Sequence, residues 1–201
     1  MKNSLIILAF FVAGVLLGIS EMLPDQLIKT DLSMYALYGL MFLVGIGIGA
    51  DKKSWSVLRQ MNIKIFLVPI GVIFGTFMGS AIVSIFLPEL KLAEVLAVGA
   101  GFGYYSLSSL FITQISGETL GVIALLSNIL REIITLLATP LLVQHFGKLA
   151  GIASGGATSM DTTLPVITRF SGKEWGIISV FSGVVLTLFV PFLVTFILRF
   201  A

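Results

Sequence analysis

Cysteine is absent from the 201 residues of this sequence, and histidine occurs once, as His145. Disulfides, thiolate metal sites and cysteine nucleophiles are therefore excluded, and one histidine cannot form a histidine metal cluster. Charged residues make up only 11% of the chain, and the formal net charge of +2 gives no electrostatic reason to expect a nucleic-acid partner. We predict no bound metal and no cofactor.

Apolar residues are in excess. They make up 57% of the chain, and the mean hydropathy of +1.10 is too high for a water-soluble surface. Apolar runs close to the length that about 30 Å of hydrocarbon requires occur at residues 4–20, 32–50, 64–87, 119–144 and 175–198. We predict an all-α integral membrane protein with about five full transmembrane helices, the first of them retained rather than cleaved as a leader.

The few charges predict the orientation of the chain in the membrane. Basic residues crowd the second loop, whereas the first loop is mainly acidic. Because basic loops remain in the cytoplasm, we expect the second loop and the N-terminus to be cytoplasmic and the C-terminus to lie outside. The basic residues are Lys52, Lys53, Arg59 and Lys64, and the acidic ones are Glu21, Asp25 and Asp31.

Two further segments, residues 92–117 and 149–172, are apolar overall but are interrupted by small and hydroxyl residues. Glycine lets the backbone leave helical geometry, and proline removes a hydrogen-bond donor. Backbone of this kind is tolerated at membrane depth only where protein or a watery cavity surrounds it. We predict two re-entrant or broken-helix segments whose free backbone groups can bind a ligand. The residues expected to break them are Gly101, Gly103, Gly155, Gly156 and Pro165.

The two interrupted segments resemble each other, which indicates an internal repeat. Residues 108–118 and 162–173 share an order of residue types if one insertion is allowed, and Pro140 and Pro191 lie in similar runs further on. The candidate repeat units are residues 92–146 and 149–200, within a single membrane transport domain over 1–201. If both segments re-enter, the units have opposite orientations, and the positive charges favour this arrangement. Inverted units with discontinuous helices are typical of secondary transporters.

Asp161 is the strongest candidate for a functional side chain. A carboxylate inside an apolar segment is expensive to insert and is by default a functional candidate. It can exchange a proton for an ammonium group. The alternative is a structural aspartate that caps a half-helix after the break.

Three polar residues, Asn128, Arg131 and Glu132, fall in the middle of the 119–144 span. Asn128 and Glu132 lie on one face, whereas Arg131 and Glu132 project about 100° apart. A substrate role and a static buried ion-pair network both remain open, and one version of the network pairs Arg131 with Asp161. In the substrate role, Arg131 and the glycine-rich backbone would hold an α-carboxylate.

Hydroxyl side chains near both breaks could line a polar path, although such groups commonly bond to their own helices or simply pack. The candidates are Tyr105, Ser106, Ser108, Thr158, Ser159 and Thr162.

Three motifs in order carry a resemblance to a known family: GFGYYSLS at residues 101–108, NILRE at 128–132 and GATSMDTTLP at 156–165. Together they resemble the LysO lysine exporter family over nearly the whole chain. The resemblance implies a prokaryotic inner-membrane exporter of L-lysine that works by proton antiport, and a functional role for Asp161. Typical members carry additional N-terminal spans, so it also implies a homo-oligomer or a small membrane partner.

Other functions fit the same pattern. A proton- or Na⁺-coupled importer of another amino acid or carboxylate would share these features, and so would a half-transporter subunit that needs a second membrane protein. An intramembrane aspartyl protease fits least well, because it needs two deep aspartates and Asp25, Asp31 and Asp51 all lie near span ends. We therefore do not expect an enzyme.

Overall fold

The computed structural model describes residues 63–201 together with six isolated residues before them. The chain divides into two compact units, Met1–Gly49 and Ala50–Ala201. In the first unit, the described residues are helical and their side chains are exposed; they are Ala13, Leu16, Leu17, Tyr35, Phe42 and Ile46. The predicted spans 4–20 and 32–50, and the basic second loop, otherwise lie outside the described residues.

Residues 63–201 form helices and connecting turns, with no strand in that range. We number the helices α1 Leu67–Ser84, α2 Leu92–Gly99, α3 Tyr105–Ser116, α4 Glu118–Phe146, α5 Ala150–Gly155, α6 Leu164–Ser171 and α7 Gly176–Leu198. Short 3₁₀ turns occupy Ile63–Phe66, Gly156–Met160 and Lys173–Trp175.

Three of these helices are long and apolar enough to cross a membrane: α1, α4, and α7 with its preceding turn. They correspond to the predicted spans 64–87, 119–144 and 175–198, which are therefore confirmed as long apolar helices. Large apolar side chains remain exposed along them, as at Phe74, Leu137 and Phe192. Exposed apolar surface of this extent is expected where lipid rather than water surrounds a helix.

The first interrupted segment consists of α2, a turn and α3. The end of α2 packs against α1, since Gly99 lies close to Thr76 and Ser80. After the turn, α3 runs back to Gly117, the single residue that separates it from α4. Gly117 has a φ of 91°, which reverses the chain. The segment therefore ends beside the start of α4.

The second interrupted segment begins and ends at the opposite end of α4. It consists of α5, the 3₁₀ turn and α6, and α5 starts just after α4 has ended. The Ser171 hydroxyl, at the end of α6, donates a hydrogen bond to the Lys148 carbonyl at 2.8 Å. The second segment therefore returns to where it began. We refer to the two interrupted segments as the first and the second hairpin.

Helix α7 packs on the turn of the second hairpin. The Ser159 hydroxyl donates to the Ser179 carbonyl at 3.0 Å, and the Ser179 hydroxyl donates to the Ser159 carbonyl at 2.7 Å. Fully buried apolar side chains come from both hairpins and from α7, namely Phe102, Ile112, Ile152, Ile167 and Leu186. The core of the described region therefore forms where the hairpins pack with α7.

Candidate functional site

The tips of the two hairpins touch. The Ala157 amide, in the turn of the second hairpin, donates a hydrogen bond to the Phe102 carbonyl in the turn of the first, at 2.8 Å. Phe102 is fully buried and has a φ of 46°, a conformation that a residue with a side chain rarely adopts. A hydrogen bond between the two turns satisfies backbone groups that neither hairpin can satisfy alone.

Asn128, on the buried face of α4, supports the first turn. Its Oδ1 accepts a hydrogen bond from the Gly103 amide at 2.7 Å. Its Nδ2 donates to the Val98 carbonyl at 3.2 Å and to the Ala124 carbonyl at 2.8 Å. Because Val98 and Gly103 lie on the two sides of the break, one amide side chain joins both halves of the hairpin.

Arg131 supports the second turn in a similar way. Its Nε donates to the Ser154 carbonyl at 2.9 Å and its Nη2 to the Ala153 carbonyl at 3.1 Å. Its Nη1 donates to the Thr76 hydroxyl of α1 at 3.3 Å. The two carbonyls belong to the end of α5, where the helix dipole is negative, so the guanidinium stabilises a half-helix C-terminus.

The ion-pair network considered from the sequence is not formed by the described side chains. Among these, the one ion pair joins Lys148 and Glu174 at 3.6 Å, far along the chain from Arg131 and largely exposed. Arg131 does not pair with Asp161. Glu132 is half-buried and projects from a different flank of α4.

Asp161 follows the 3₁₀ turn of the second hairpin, and its side chain is exposed in the described structure. Its Oδ1 accepts hydrogen bonds from the Thr162 amide at 2.6 Å and from the Thr162 hydroxyl at 3.3 Å. It does not cap α6, whose N-cap is Thr163 with no side-chain capping bond. Its carboxylate lies close enough to Tyr104, the N-cap residue of α3, to interact with it electrostatically.

A cavity of about 580 Å³ lies between α1, α2, α4 and α5. Arg131 and Asn128 line it, whereas Asp161 and Glu132 do not. Of the predicted side chains, Asn128 and Arg131 thus lie along the cavity, whereas Asp161 lies outside it at the exposed side of the second turn. Polar or small residues on the cavity wall include Thr76, Ser80, Ser127 and Ser154, with Gly71, Gly75 and Gly79 on α1.

Three of the six hydroxyl candidates bond to their own backbone, which was the alternative considered from the sequence. The buried hydroxyls of Ser108, Thr158 and Ser159 donate to the carbonyls of Tyr104, Gly155 and Gly156, respectively. Ser106 and Thr162 are exposed, and Tyr105 is half-buried at the first residue of α3.

The predicted break residues lie at or beside the two turns. Gly101 and Gly103 belong to the first turn, while Gly155 ends α5 and Gly156 opens the 3₁₀ turn. Pro165 instead lies in the first turn of α6. Proline is well tolerated at that position, because the first amides of a helix have no partner within it.

Thr135 was not identified from the sequence. Its hydroxyl lies 2.7 Å from the Ser154 hydroxyl and donates to the Arg131 carbonyl at 2.9 Å. Asn128, Arg131, Thr135 and Thr139 recur every three or four residues, which places them on one face of α4. That polar stripe was the signal that could have identified it.

Comparison with known proteins identifies the family. The family model described as "Lysine exporter LysO" matches residues 8–198. The chain is 32% identical to "Lysine exporter LysO" of Escherichia coli over 196 residues, which cover 96% of this chain and 64% of that protein. It is 35% identical to a "Putative lysine exporter" of Haemophilus influenzae over 166 residues, covering 82% of this chain and 83% of that protein.

The chain thus spans slightly less than two thirds of the length of the Escherichia coli relative. No solved structure matches it. The relatives and the long apolar helices indicate a bacterial membrane protein. Since the family model matches nearly the whole sequence, the chain belongs to the lysine exporter LysO family.

Proposed function

We propose that this protein exports L-lysine and related basic amino acids across the inner membrane, in exchange for protons. The observation that carries the proposal is the meeting of the two broken hairpins, where Ala157 bonds to Phe102 and Asp161 remains free of any cation within the described region. Family membership supports the substrate, because both relatives are named as lysine exporters.

In this proposal the two hairpins enter the membrane from opposite faces. Units 92–146 and 149–200 then form an inverted repeat, within a chain of about five full transmembrane helices. Several features support it. Each unit has two short helices, a left-handed glycine and a long proline-containing helix. Asn128 and Ser179, at the same spacing before Pro140 and Pro191, each bond to the broken segment of their own unit.

Charge supports one orientation of this arrangement. Lys148, Arg169 and Lys173 lie in the region where α4 ends and the second hairpin returns, whereas Lys91 and Arg199 belong to the opposite end. Basic residues concentrate on the cytoplasmic side. We therefore assign the C-terminal end of α4 to the cytoplasm and the C-terminus of the chain to the outside.

An exporter of lysine works against the membrane potential. Moving one positive charge outward against an inside-negative potential requires about 2.3 kcal/mol for each 100 mV. If Asp161 binds either a proton or a lysine ammonium group, one proton enters for each lysine that leaves, and no net charge moves. Asp161 would release its proton to the cytoplasm, bind lysine there, and take up a proton outside after lysine has left.

Purified protein in proteoliposomes tests this mechanism. Vesicles loaded with labelled lysine and diluted into an acidic medium should lose lysine rapidly, and Asp161→Asn should slow that loss at least about tenfold, since the amide cannot exchange protons. Glu89→Gln is the matched control, because Glu89 is an exposed carboxylate before α2. Proton-driven efflux at the parental rate from well-folded Asp161→Asn would contradict the role of Asp161. Absence of lysine counterflow in the parent would contradict lysine export itself.

A further inference from the structure

The cavity between α1, α2, α4 and α5 has a cation in its wall that forms no ion pair with a described carboxylate. Arg131 lies in its wall, and no Asp or Glu among the described side chains forms an ion pair with it. The rest of the wall is mainly apolar, with hydroxyls and one amide. A guanidinium in such surroundings is stabilised only in part by the carbonyls at the end of α5, so an anion would be bound favourably there.

Two N–H groups of the guanidinium are not used in the described hydrogen bonds. Arginine has five N–H groups. Three of them donate hydrogen bonds: Nε to Ser154, Nη2 to Ala153 and Nη1 to Thr76. One N–H on each terminal nitrogen therefore makes no hydrogen bond within the described region. A planar carboxylate is the anion whose two oxygens best match donors on a guanidinium.

The guanidinium also lies at the point where the hairpins touch. Gly156 has a φ of 60°, and a Cβ atom built there would lie 3.1 Å from Arg131 Nη2 and would overlap the Phe102 carbonyl. An anion on Arg131 would therefore lie beside both turns. The cavity volume of about 580 Å³ falls within the range of roughly 300–1,000 Å³ that is typical of small-molecule sites.

We infer that Arg131 binds the α-carboxylate of the transported amino acid in this cavity, so that a free carboxylate is required for tight binding. The inference rests on the proposed function for the nature of the ligand, and adds which end of the ligand is recognised and where. Arg131 is then a specificity-determining residue. An otherwise similar amine without the carboxylate would leave the charge of Arg131 unpaired and would bind weakly.

The test compares L-lysine with L-lysinamide, which has an amide in place of the carboxylate. Binding is measured by calorimetry on the full chain in detergent. We expect the parent to bind lysine at least about tenfold more tightly than lysinamide, the effect of one charge-assisted hydrogen-bond pair. Arg131→Gln should bring this ratio close to one, and Arg131→Lys should retain part of the preference. A folded Arg131→Gln protein with the parental ratio would overturn the inference, because a purely structural arginine affects stability and not the choice between acid and amide.

A second variant leaves Arg131 intact. Gly75, on the α1 wall of the cavity, has no atom of the described residues within 4 Å of a built Cβ, so Gly75→Leu should fill part of the cavity without a clash in the described region. We expect lysine binding to weaken at least about tenfold. Ala81→Leu is the control on the same helix, since Ala81 does not line the cavity. Unchanged lysine affinity in Gly75→Leu would place the carboxylate elsewhere.

The outcome separates this inference from the proposed function. If the parent binds no lysine but binds another amino acid more tightly than its amide, and Arg131→Gln removes that preference, lysine export is contradicted and the role of Arg131 is supported. If the parent exports lysine and binds lysinamide as tightly as lysine, the role of Arg131 is contradicted and lysine export is supported.

Discussion

Asn128 and Arg131, one turn apart on α4, each hold one of the two breaks. Asn128 joins Val98 to Gly103 in the first hairpin, and Arg131 binds the end of α5 in the second. Both bind backbone groups that a continuous helix would have paired internally. The polar stripe on α4 therefore replaces the hydrogen bonds that the breaks remove, and this accounts for the presence of an amide and a guanidinium in the middle of a long apolar helix.

We expect Asn128→Ala to destabilise the protein by about 2 kcal/mol, because it leaves the Gly103 amide unpaired and removes two further hydrogen bonds, to the Val98 and Ala124 carbonyls. Side-chain hydrogen bonds in membrane proteins are worth about 0.6–1.7 kcal/mol each. Ser127→Ala is the matched control, since Ser127 is the adjacent residue and is exposed. Reversible unfolding in detergent measures both. Equal stability of the two variants would show that the Asn128 hydrogen bonds are not needed to hold the first hairpin.

The sequence identified these polar residues but not their partners. Asn128 and Arg131 stand out because charged and amide groups are rare in a long apolar run. The partners of Arg131 come from α1 and from α5, so they are known only once the helices have packed. For the same reason, the sequence did not show that Arg131 lines the cavity whereas Asp161 does not. The positions of these two residues relative to the cavity depend on where the two turns meet.

The ends of the helices were easier to predict from the sequence than the contacts between helices. Gly117, Gly147 and Gly172 follow α3, α4 and α6, and all three have positive φ. Such glycines are the usual helix terminators, and they account for the agreement of the predicted span 119–144 with Glu118–Phe146. The contact between the two hairpins, in contrast, depends on Gly156. This residue must have a positive φ and no side chain, and that requirement can be seen only in the packed structure.

We expect Gly156→Ala to lower stability by about 3 kcal/mol or more and to abolish transport. Alanine would be strained at a φ of 60°, and its Cβ would overlap the Phe102 carbonyl and separate the hairpin tips. Gly147→Ala is the matched control. Gly147 has a φ of 87° but no described atom within 4 Å of a built Cβ, so only backbone strain of about 1–3 kcal/mol applies, without the overlap.

Unfolding in detergent and lysine counterflow should be measured for both glycine variants. A Gly156→Ala protein as stable and as active as Gly147→Ala would show that the close contact between the turns is dispensable. Loss of function in both variants to the same degree would indicate that backbone strain, and not the contact of the two hairpins, is responsible.

For the whole molecule, the arrangement of the hairpins determines which loops face which side of the membrane. If both segments re-enter, Glu89 and Glu118 flank the first hairpin on the outside, and Lys148 and Lys173 flank the second in the cytoplasm. If the first segment crossed instead, Glu89 and Glu118 would lie on opposite sides. The absence of native cysteine allows single cysteines to distinguish these arrangements without a background signal.

We expect Glu89→Cys and Glu118→Cys to react with a membrane-impermeant maleimide in intact cells, and Lys148→Cys and Lys173→Cys to react only after permeabilisation. All four side chains are exposed, so accessibility within the protein does not limit labelling. Labelling is followed as a mass shift on the purified protein, with the cysteine-free parent as the blank. Because each pair brackets one hairpin, opposite behaviour within either pair would show that its segment crosses the membrane, and the inverted repeat would then be wrong.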